Sequence, residues 1–424
     1  MLKALGDAQL STTLTAPHAR HKTLWPLRFI GVEAASGTVL LLAAVIALGC
    51  ANSPLAPFYE ALWHLELGPG LSPYLPARDL HFWVNDGLMA IFFLVVGLEI
   101  RREMHDGALS DPKVATLPIV AAAGGVVVPA LLYVLLNSTP ELRRGWAIPT
   151  PTDIAFAVGV LSLVGSGVPA ALRMLLLTLA IIDDIAAILV IAFFYSGGIA
   201  VSGLLIVAAG VLLVLALQWL GARTALAYVL PGAAVWFGML RAGVHPTLAG
   251  VLLGLLTPAT AAFGRRGRAA SAVPDGDSPL ERLEAMLLPW VAFGIMPVFA
   301  LANAGVSLAG LTLSAGAPLA VGSGIVLGLV LGKPLGIVLA SLGAVGLKLG
   351  ALPEGVRWHH TLLLGLLGGI GFTMSIFIAN LAFDDPALLA AAKFAVLVAS
   401  GTAATLGLIV GRLQSALVRR SAGA

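Results

Sequence analysis

LLLTLAIIDDIAAILVIAFF, residues 175–194, decides the fold class, because it is apolar except for Thr178 and two adjacent aspartates. A helix that crosses a lipid bilayer needs about 20 mainly apolar residues, and this stretch is long enough. An acid at the centre of a bilayer costs roughly 2.5–3.5 kcal/mol. Asp183 and Asp184 must therefore face a cavity, a partner side chain or a cation instead of lipid.

The composition of the whole chain agrees with a membrane protein. Of its 424 residues, 59% are hydrophobic and only 11% are charged, against about 25% charged residues in a typical soluble domain. The 49 glycines and 25 prolines are tolerated in membrane helices, where neighbouring helices satisfy the freed backbone groups. Cys50 is the one cysteine, so neither a disulfide nor a cysteine-ligated metal is expected. The chain calls for no cofactor and no nucleic acid.

Apolar segments along the chain predict an all-α polytopic membrane protein with about 12 transmembrane helices. Their approximate bounds are 30–50, 82–103, 114–137, 146–165, 170–195, 199–219, 223–239, 245–257, 284–306, 318–341, 358–381 and 388–411. The transmembrane domain is predicted over residues 29–412, between a cytoplasmic N-terminal tail, 1–28, and a cytoplasmic C-terminal tail, 413–424. A long cytoplasmic loop, 258–283, divides the bundle into two halves.

Basic residues orient this bundle. With the N-terminus inside, most Lys and Arg fall in cytoplasmic segments, and only Arg78, Arg143, Arg144 and Arg241 fall outside. This asymmetry is the positive-inside pattern of multi-pass membrane proteins. It predicts an even number of helices with both termini in the cytoplasm.

Two segments carry features that interrupt a helix. The fourth reads GWAIPTPTDIAFAVG, residues 145–159, where Pro149 and Pro151 predict a break followed by Asp153. Thr152 offers a hydroxyl to the loosened backbone or to a cation, and Asp153 suits the positive end of a half-helix. An ordinary N-cap aspartate at a helix start is the alternative.

The eleventh segment has a matching weakness in LLGLLGGIGFTMSIFIANLAF, residues 363–383. Its glycines, among them Gly369 and Gly371, lower helix stability and permit close backbone approach. A small-residue packing face is the alternative. Interrupted segments in corresponding positions of two halves indicate a transporter site between inverted repeats.

Asp183 and Asp184 form the predicted exchange site. Burial and mutual repulsion both favour protonated carboxyl groups, and a small cation competes with protons for the same oxygens. That competition is the physical basis of a cation/proton exchanger. Lys333, inside the tenth segment, pairs with one of these acids, offsets negative half-helix ends, or snorkels to the interface. An acid pair held only by a buried base is the structural alternative.

A second charged group stands at the inner end of the second segment. Glu99, Arg102 and Glu103 share one helical face, and Glu284, after the long loop, can join them. Such a group is either a solvated ion-pair face or a charged vestibule that attracts cations and senses pH.

These residues together resemble the NhaA family of bacterial Na⁺/H⁺ antiporters. The matching runs, in order, are FFLVVGLEIRRE, GWAIPTPTDIAFAVGVL, LAIIDDIAAI, GVHPTLAGV, PWVAFGIMPVFALANAGVSL, GKPLGI, LPEGV and GIGFTMSIFIANLAF. They cover about residues 30 to 410. TDIAF together with IIDD and GIGFTMSIF is a highly specific combination.

The resemblance implies twelve helices, with the fourth and eleventh interrupted and crossing near the midplane, in a multi-pass protein of the bacterial inner membrane. It implies export of Na⁺ or Li⁺ in exchange for H⁺ by alternating access. The site residues it implies fall into four sets: Asp183, Asp184 and Thr152 for the ions; Asp153 and Lys333 for charge compensation; Pro151, Gly369, Gly371 and Thr373 for the broken backbone; Glu99, Arg102 and Glu284 for the pH response.

Some properties stay open at the level of sequence. Where some members have histidine, this chain has Ala285 and Leu288, so the pH threshold of activation is in doubt. If both aspartates titrate, two protons trade for one cation and transport moves charge. A homodimer is implied by the resemblance alone. The alternatives are a Na⁺-coupled organic anion symporter and a membrane-embedded metal-dependent enzyme; an enzyme is not predicted, because DDIAA lacks the third acid of a DDxxD motif.

Overall fold

The computed structural model describes residues 18–67, 78–165, 167–198, 200–222, 224–259, 278–309 and 316–422. Its helices, numbered along the chain, are α1 His18–Ala51, α2 Ala56–Trp63, α3 Leu80–Asp106, α4 Pro112–Leu136, α5 Pro140–Arg143, α6 Ile154–Val164, α7 Ala170–Phe194, α8 Val201–Trp219, α9 Leu226–Ala242, α10 Leu248–Leu256, α11 Pro279–Asn303, α12 Ala317–Gly346, α13 Trp358–Gly368, α14 Phe372–Ala382 and α15 Pro386–Ala422. Two short antiparallel strands, β1 Glu66–Leu67 and β2 Arg78–Asp79, pair in the predicted outer loop.

The helices make this an all-α polytopic membrane protein. Within the described residues, 7 helices are long and apolar enough to cross a bilayer, or up to 9 if each bent pair counts as one span. How many helices span in full, and whether the halves are inverted repeats, stay predictions. So do the domain bounds, since residues 1–17 and 260–277 of the predicted tail and loop lie outside the described residues.

Helix α7, which carries the two aspartates, lies at the centre of the bundle. Of its apolar window 61% is buried, against 17% for α8. Helix α8 therefore turns most of its surface outward and packs mainly on α9, whereas α7 contacts α3, α4, α6 and α13. Two acids placed on the buried part of this helix are kept away from lipid.

Glycine allows two helices beside α7 to approach closely. A Cβ on Gly124 of α4 would lie 2.3 Å from the carbonyl oxygen of Gly336, and a Cβ on Gly336 of α12 would lie 2.1 Å from that of Gly124. Such small-residue contacts are typical of membrane helices, whose backbones then meet directly. The contact brings the middle of α12, where Lys333 lies, against α4.

The chain between residues 147 and 154 is not helical. A 3₁₀ turn, Arg144–Ala147, precedes it, and α6 begins only at Ile154. Pro149 and Pro151 lack the N–H that a continuous helix requires. The side chain of Asp153 accepts a hydrogen bond from the N–H of Phe156 at 3.0 Å and so caps α6.

A second interruption separates α13 from α14. Helix α13 ends at Gly368, α14 begins at Phe372, and the two helices differ in direction by 46°. At Gly369 a Cβ would lie 2.4 Å from the carbonyl oxygen of Leu329. Glycine is needed there because the backbone of α12 approaches too closely for a side chain.

The two interruptions touch each other. The N–H of Asp153 donates to the carbonyl oxygen of Ile370 at 2.7 Å, and the Thr152 hydroxyl donates to that of Gly368 at 3.0 Å. At Gly371, a Cβ would lie 3.1 Å from the carbonyl oxygen of Pro151. Backbone groups freed by one break are therefore satisfied by the other, beside α7.

Candidate functional site

Asp183 is held by two buried partners. Its Oδ2 accepts a hydrogen bond from the Thr152 hydroxyl at 2.6 Å and lies 2.8 Å from Nζ of Lys333. Asp183 is 1% exposed and Lys333 is 0% exposed. The lysine therefore does not snorkel to the interface but forms a buried ion pair with this aspartate.

Lys333 also binds the broken backbone. Its ammonium donates to the carbonyl oxygen of Thr150, inside the first interruption. Lys333 follows a π-helical turn, Gly328–Gly332, and precedes Pro334, which has no N–H for the preceding turn. The wide turn and the glycine contacts with α4 leave space for the lysine stem inside the bundle. One ammonium thus balances a carboxylate and a free carbonyl together.

Asp184 differs from its neighbour in forming no hydrogen bond or ion pair with Thr152 or Lys333; its Oδ1 has no hydrogen-bond partner among the described residues, although Asp184 is only 3% exposed. The carboxyl groups of Glu99, Asp183 and Asp153 all lie within electrostatic range of it. A buried carboxylate oxygen without a partner is costly. A proton or a cation on Asp184 removes that cost.

Asp153 lies where the two interruptions touch each other. Besides capping α6, it accepts through Oδ2 the N–H of Thr373 at 3.1 Å and the Thr373 hydroxyl at 2.6 Å. A single carboxylate therefore faces the N-terminal ends of both α6 and α14, whose positive dipole ends favour a negative charge. Both of its oxygens therefore accept hydrogen bonds from the two helix ends.

The remaining oxygens suit a small monovalent cation. Oδ1 of Asp183 also lacks a hydrogen-bond partner within the described part of the chain. Together with Asp184 and the Thr152 hydroxyl it forms a set of hard oxygen donors, the ligand type that hard cations prefer. A proton competes with such a cation for the two carboxyl groups.

The comparisons with known proteins fit this geometry. The family model described as Na⁺/H⁺ antiporter 1 matches residues 27–410. The chain belongs to the Na⁺/H⁺ antiporter 1 family. It is 53% identical to the Na⁺/H⁺ antiporter NhaA 2 of Pseudomonas putida over 93% of this chain and 95% of that protein. It is 56% identical to the Na⁺/H⁺ antiporter NhaA of an Acidovorax species over 91% of each chain.

In this antiporter-family chain the second charged group is also assembled. Arg102 Nη1 lies 2.7 Å from Oε1 of Glu284, and Arg102 Nη2 lies 3.8 Å from Oε1 of Glu99. Glu103 turns away, because its Oε2 accepts the N–H of Ala108. Glu284 is 4% exposed and its Oε2 has no partner among the described residues. The side chains of Glu99 and Arg102 are each 21% exposed, so the group joins one buried carboxylate to two half-buried partners.

Sequence reasoning missed another polar cluster in this family member. Asn303 Nδ2 donates to Asn85 Oδ1 at 2.7 Å, Asn380 Nδ2 donates to Asn303 Oδ1 at 2.7 Å, and His81 Nε2 lies 3.2 Å from the same oxygen. The cluster ties α3, α11 and α14 together. Its signal was present in the sequence as single asparagines inside apolar runs, which need partners in a membrane.

Proposed function

We propose that this chain exchanges Na⁺, or Li⁺, for protons across a bacterial inner membrane. The observation that carries the proposal is the pair Asp183 and Asp184, buried side by side on the central helix, each with a carboxylate oxygen that has no hydrogen-bond partner in the described part of the chain. The names of the NhaA relatives support the same reaction. Protons and a dehydrated cation compete for these oxygens, so that binding one releases the other.

The cycle uses alternating access. On the cytoplasmic side the site loses protons and takes a cation, with Asp184 as the main ligand and Asp183 and Thr152 beside it. The loaded site then opens to the outside, where protons displace the cation and return the site. The two interrupted segments are the fourth and eleventh spans of about 12, and they cross near the midplane. Their half-helices are short, so fewer backbone hydrogen bonds must break than in a continuous helix when the site changes from inward-facing to outward-facing.

Transport carries net charge if two protons leave for each cation. Each elementary charge gains about 2.3 kcal/mol per 100 mV across the membrane, which is enough for the membrane potential to drive export. Glu99, Arg102 and Glu284 set the pH response, because their buried ion pairs depend on the protonation of two carboxyl groups. Both termini lie in the cytoplasm, and the protein forms a homodimer.

The test uses inverted membrane vesicles from a strain without other antiporters. Respiration acidifies the lumen, which a ΔpH-sensitive dye reports, and NaCl or LiCl is then added at a series of pH values. We expect prompt alkalinisation by both salts, and none with the Asp184→Asn variant at equal expression. A Na⁺-coupled symporter would not alkalinise the lumen without an organic anion. Exchange that persists in Asp184→Asn would contradict the site assignment.

A further inference from the structure

A histidine caps the start of helix α13, the helix that ends at Gly368 beside the first interruption. Arg357 is the N-cap residue of α13, and its N–H donates to Nδ1 of His360 at 3.0 Å. His360 is 5% exposed and lies at the third helical position, where Glu or Gln usually accepts this bond in a capping box. Here the acceptor is an imidazole, the side chain whose unperturbed pKa lies in the physiological pH range.

Protonation and the cap exclude each other. A protonated imidazole carries N–H donors on both nitrogens and has no acceptor left for the N–H of Arg357. It would also add a positive charge at the positive end of α13.

The charged groups that act on His360 are His359, whose ring centroid lies 4.1 Å away, and Arg357. Neither can stabilise an imidazolium. The helices that pack on α13 are α6, α7, α12 and α15; α6, α12 and α15 contain no acidic residue, and the acids of α7 are Asp183 and Asp184 at the exchange site. From α15, Gln414 contributes an uncharged amide, which donates to the carbonyl oxygen of His359 at 2.7 Å.

The opposite end of α13 touches the site. Gly368 lies eight residues after His360, or about 12 Å along a helix, and its carbonyl oxygen accepts the Thr152 hydroxyl at 3.0 Å. Thr152 in turn bonds Asp183. Between the two ends, Gly365 is packed against Pro334 so tightly that a Cβ would lie 2.7 Å from its Cα. A change at the first turn of α13 therefore shifts contacts of both Lys333's helix and Thr152.

We propose that His360 is a positioning residue for the exchange reaction, whose neutral ring caps α13 and holds Gly368 against Thr152, and whose protonation from the cytoplasm releases this support. The inference rests on the proposed function and on α13 beginning at the cytoplasmic face. It gives the chain a pH-dependent histidine on α13, whereas α11 has Ala285 and Leu288 and no histidine at these two positions. Low cytoplasmic pH then reduces exchange.

The first test compares His360→Gln with wild type in the inverted-vesicle assay, in which the cytoplasmic face meets the external buffer. Glutamine keeps the acceptor but does not titrate. We expect the acidic half-activation pH of His360→Gln to fall by about half a pH unit or more, since a cap changes an equilibrium by a factor of about three to ten. His360→Ala, without an acceptor, should be less active than His360→Gln at every pH, and less active than wild type where the wild-type ring is neutral. The control His359→Gln, an exposed neighbour, should shift the profile less than His360→Gln. A His360→Gln profile that overlays wild type overturns the inference.

A second measurement does not depend on transport. Amide hydrogen exchange at residues 358–361 is compared between full-length wild type and His360→Gln in nanodiscs, at pH 6 and pH 8. We expect exchange several-fold faster in wild type at pH 6 and equal rates at pH 8. Equal rates at both pH values overturn the pH-dependent cap. If wild type itself exchanges no cations, the proposed function fails, and this measurement still decides whether His360 is a titrating cap.

Discussion

Replacing Asp153 by Asn tests whether one carboxylate holds both half-helix ends. The carboxylate accepts the N–H of Phe156 on one oxygen and two donors of Thr373 on the other. An amide has only one oxygen, so in either orientation its NH₂ group meets a backbone N–H. The Thr373 hydroxyl can rotate to accept, but the backbone donors cannot.

The cost follows from these contacts. A buried donor that loses its acceptor costs about 1–3 kcal/mol, and losing a charge at a helix N-terminus costs about 0.3–2 kcal/mol. Since two helix ends are affected, we expect a loss of roughly 2–5 kcal/mol in the free energy of unfolding and a melting temperature lower by several degrees. Exchange should fall as well, because the crossing loses its fixed geometry.

The assay is thermal unfolding of purified protein in detergent, with Asp385→Asn as the matched control. Asp385 caps the start of α15, where its Oδ1 accepts the N–H of Ala387 at 2.7 Å, and it is exposed. Asn and Asp are about equally good N-caps, so this variant should melt like wild type. If Asp153→Asn also melts like wild type, the carboxylate does not hold the two ends.

Two further predictions concern the same region. Lys333→Met leaves the Asp183 carboxylate buried without its cation, which should cost about 3–5 kcal/mol of unfolding free energy and lower the melting temperature. Adding Asp183→Asn should recover most of that stability but should not restore exchange. A Lys333→Met protein as stable as wild type would speak against the ion pair. Gly369→Ala should destabilise the protein and reduce exchange, because its Cβ would meet the Leu329 carbonyl oxygen at 2.4 Å. Gly343→Ala, whose Cβ would have nothing within 4 Å, should be neutral or slightly stabilising. Equal melting temperatures for the two variants would contradict this packing.

Local features of the site could be read from the sequence because each has a local cause. Pro149 and Pro151 stand two residues apart and predict a break, and the non-helical stretch indeed lies between residues 147 and 154, whereas Pro118 and Pro129 stay inside α4. The glycines around Gly369 mark the second interruption for a similar reason. Asp183 and Asp184 stand out because an acid inside an apolar segment needs compensation.

Pairings between distant segments could not be read in this way. Lys333 could have met either aspartate, and only the packing of α12 on α4 places it against Asp183. Arg102 and Glu284 are 182 residues apart, and Thr373 reaches Asp153 across 220 residues. Residues 51–81, between the first two predicted spans, contain α2 and the strand pair, which the sequence did not predict, since short elements there depend on contacts such as that of the Tyr59 hydroxyl with the Leu301 carbonyl oxygen. The histidine cap at His360 was missed because histidine is not among the usual capping residues.

Asp183 and Asp184 are adjacent in the sequence but have different environments in the structure, and the sequence did not predict this difference. Asp183 has a fixed cation and a hydroxyl on one oxygen, so its charge is already compensated when the site is empty. Asp184 is bonded to neither, and both the carboxyl groups of Glu99, Asp183 and Asp153 and the ammonium of Lys333 lie within electrostatic range of it. Adjacent side chains on a helix point about 100° apart, which lets one face the crossing and the other the space beside Glu99.

In the proposed cycle Asp184 must therefore change its proton or cation occupancy most readily, while Asp183 keeps the empty site in register with Thr152 and the broken backbone. A site with two equally compensated acids would hold no cation, and one with two uncompensated acids would remain protonated at neutral pH. The unequal pair avoids both outcomes.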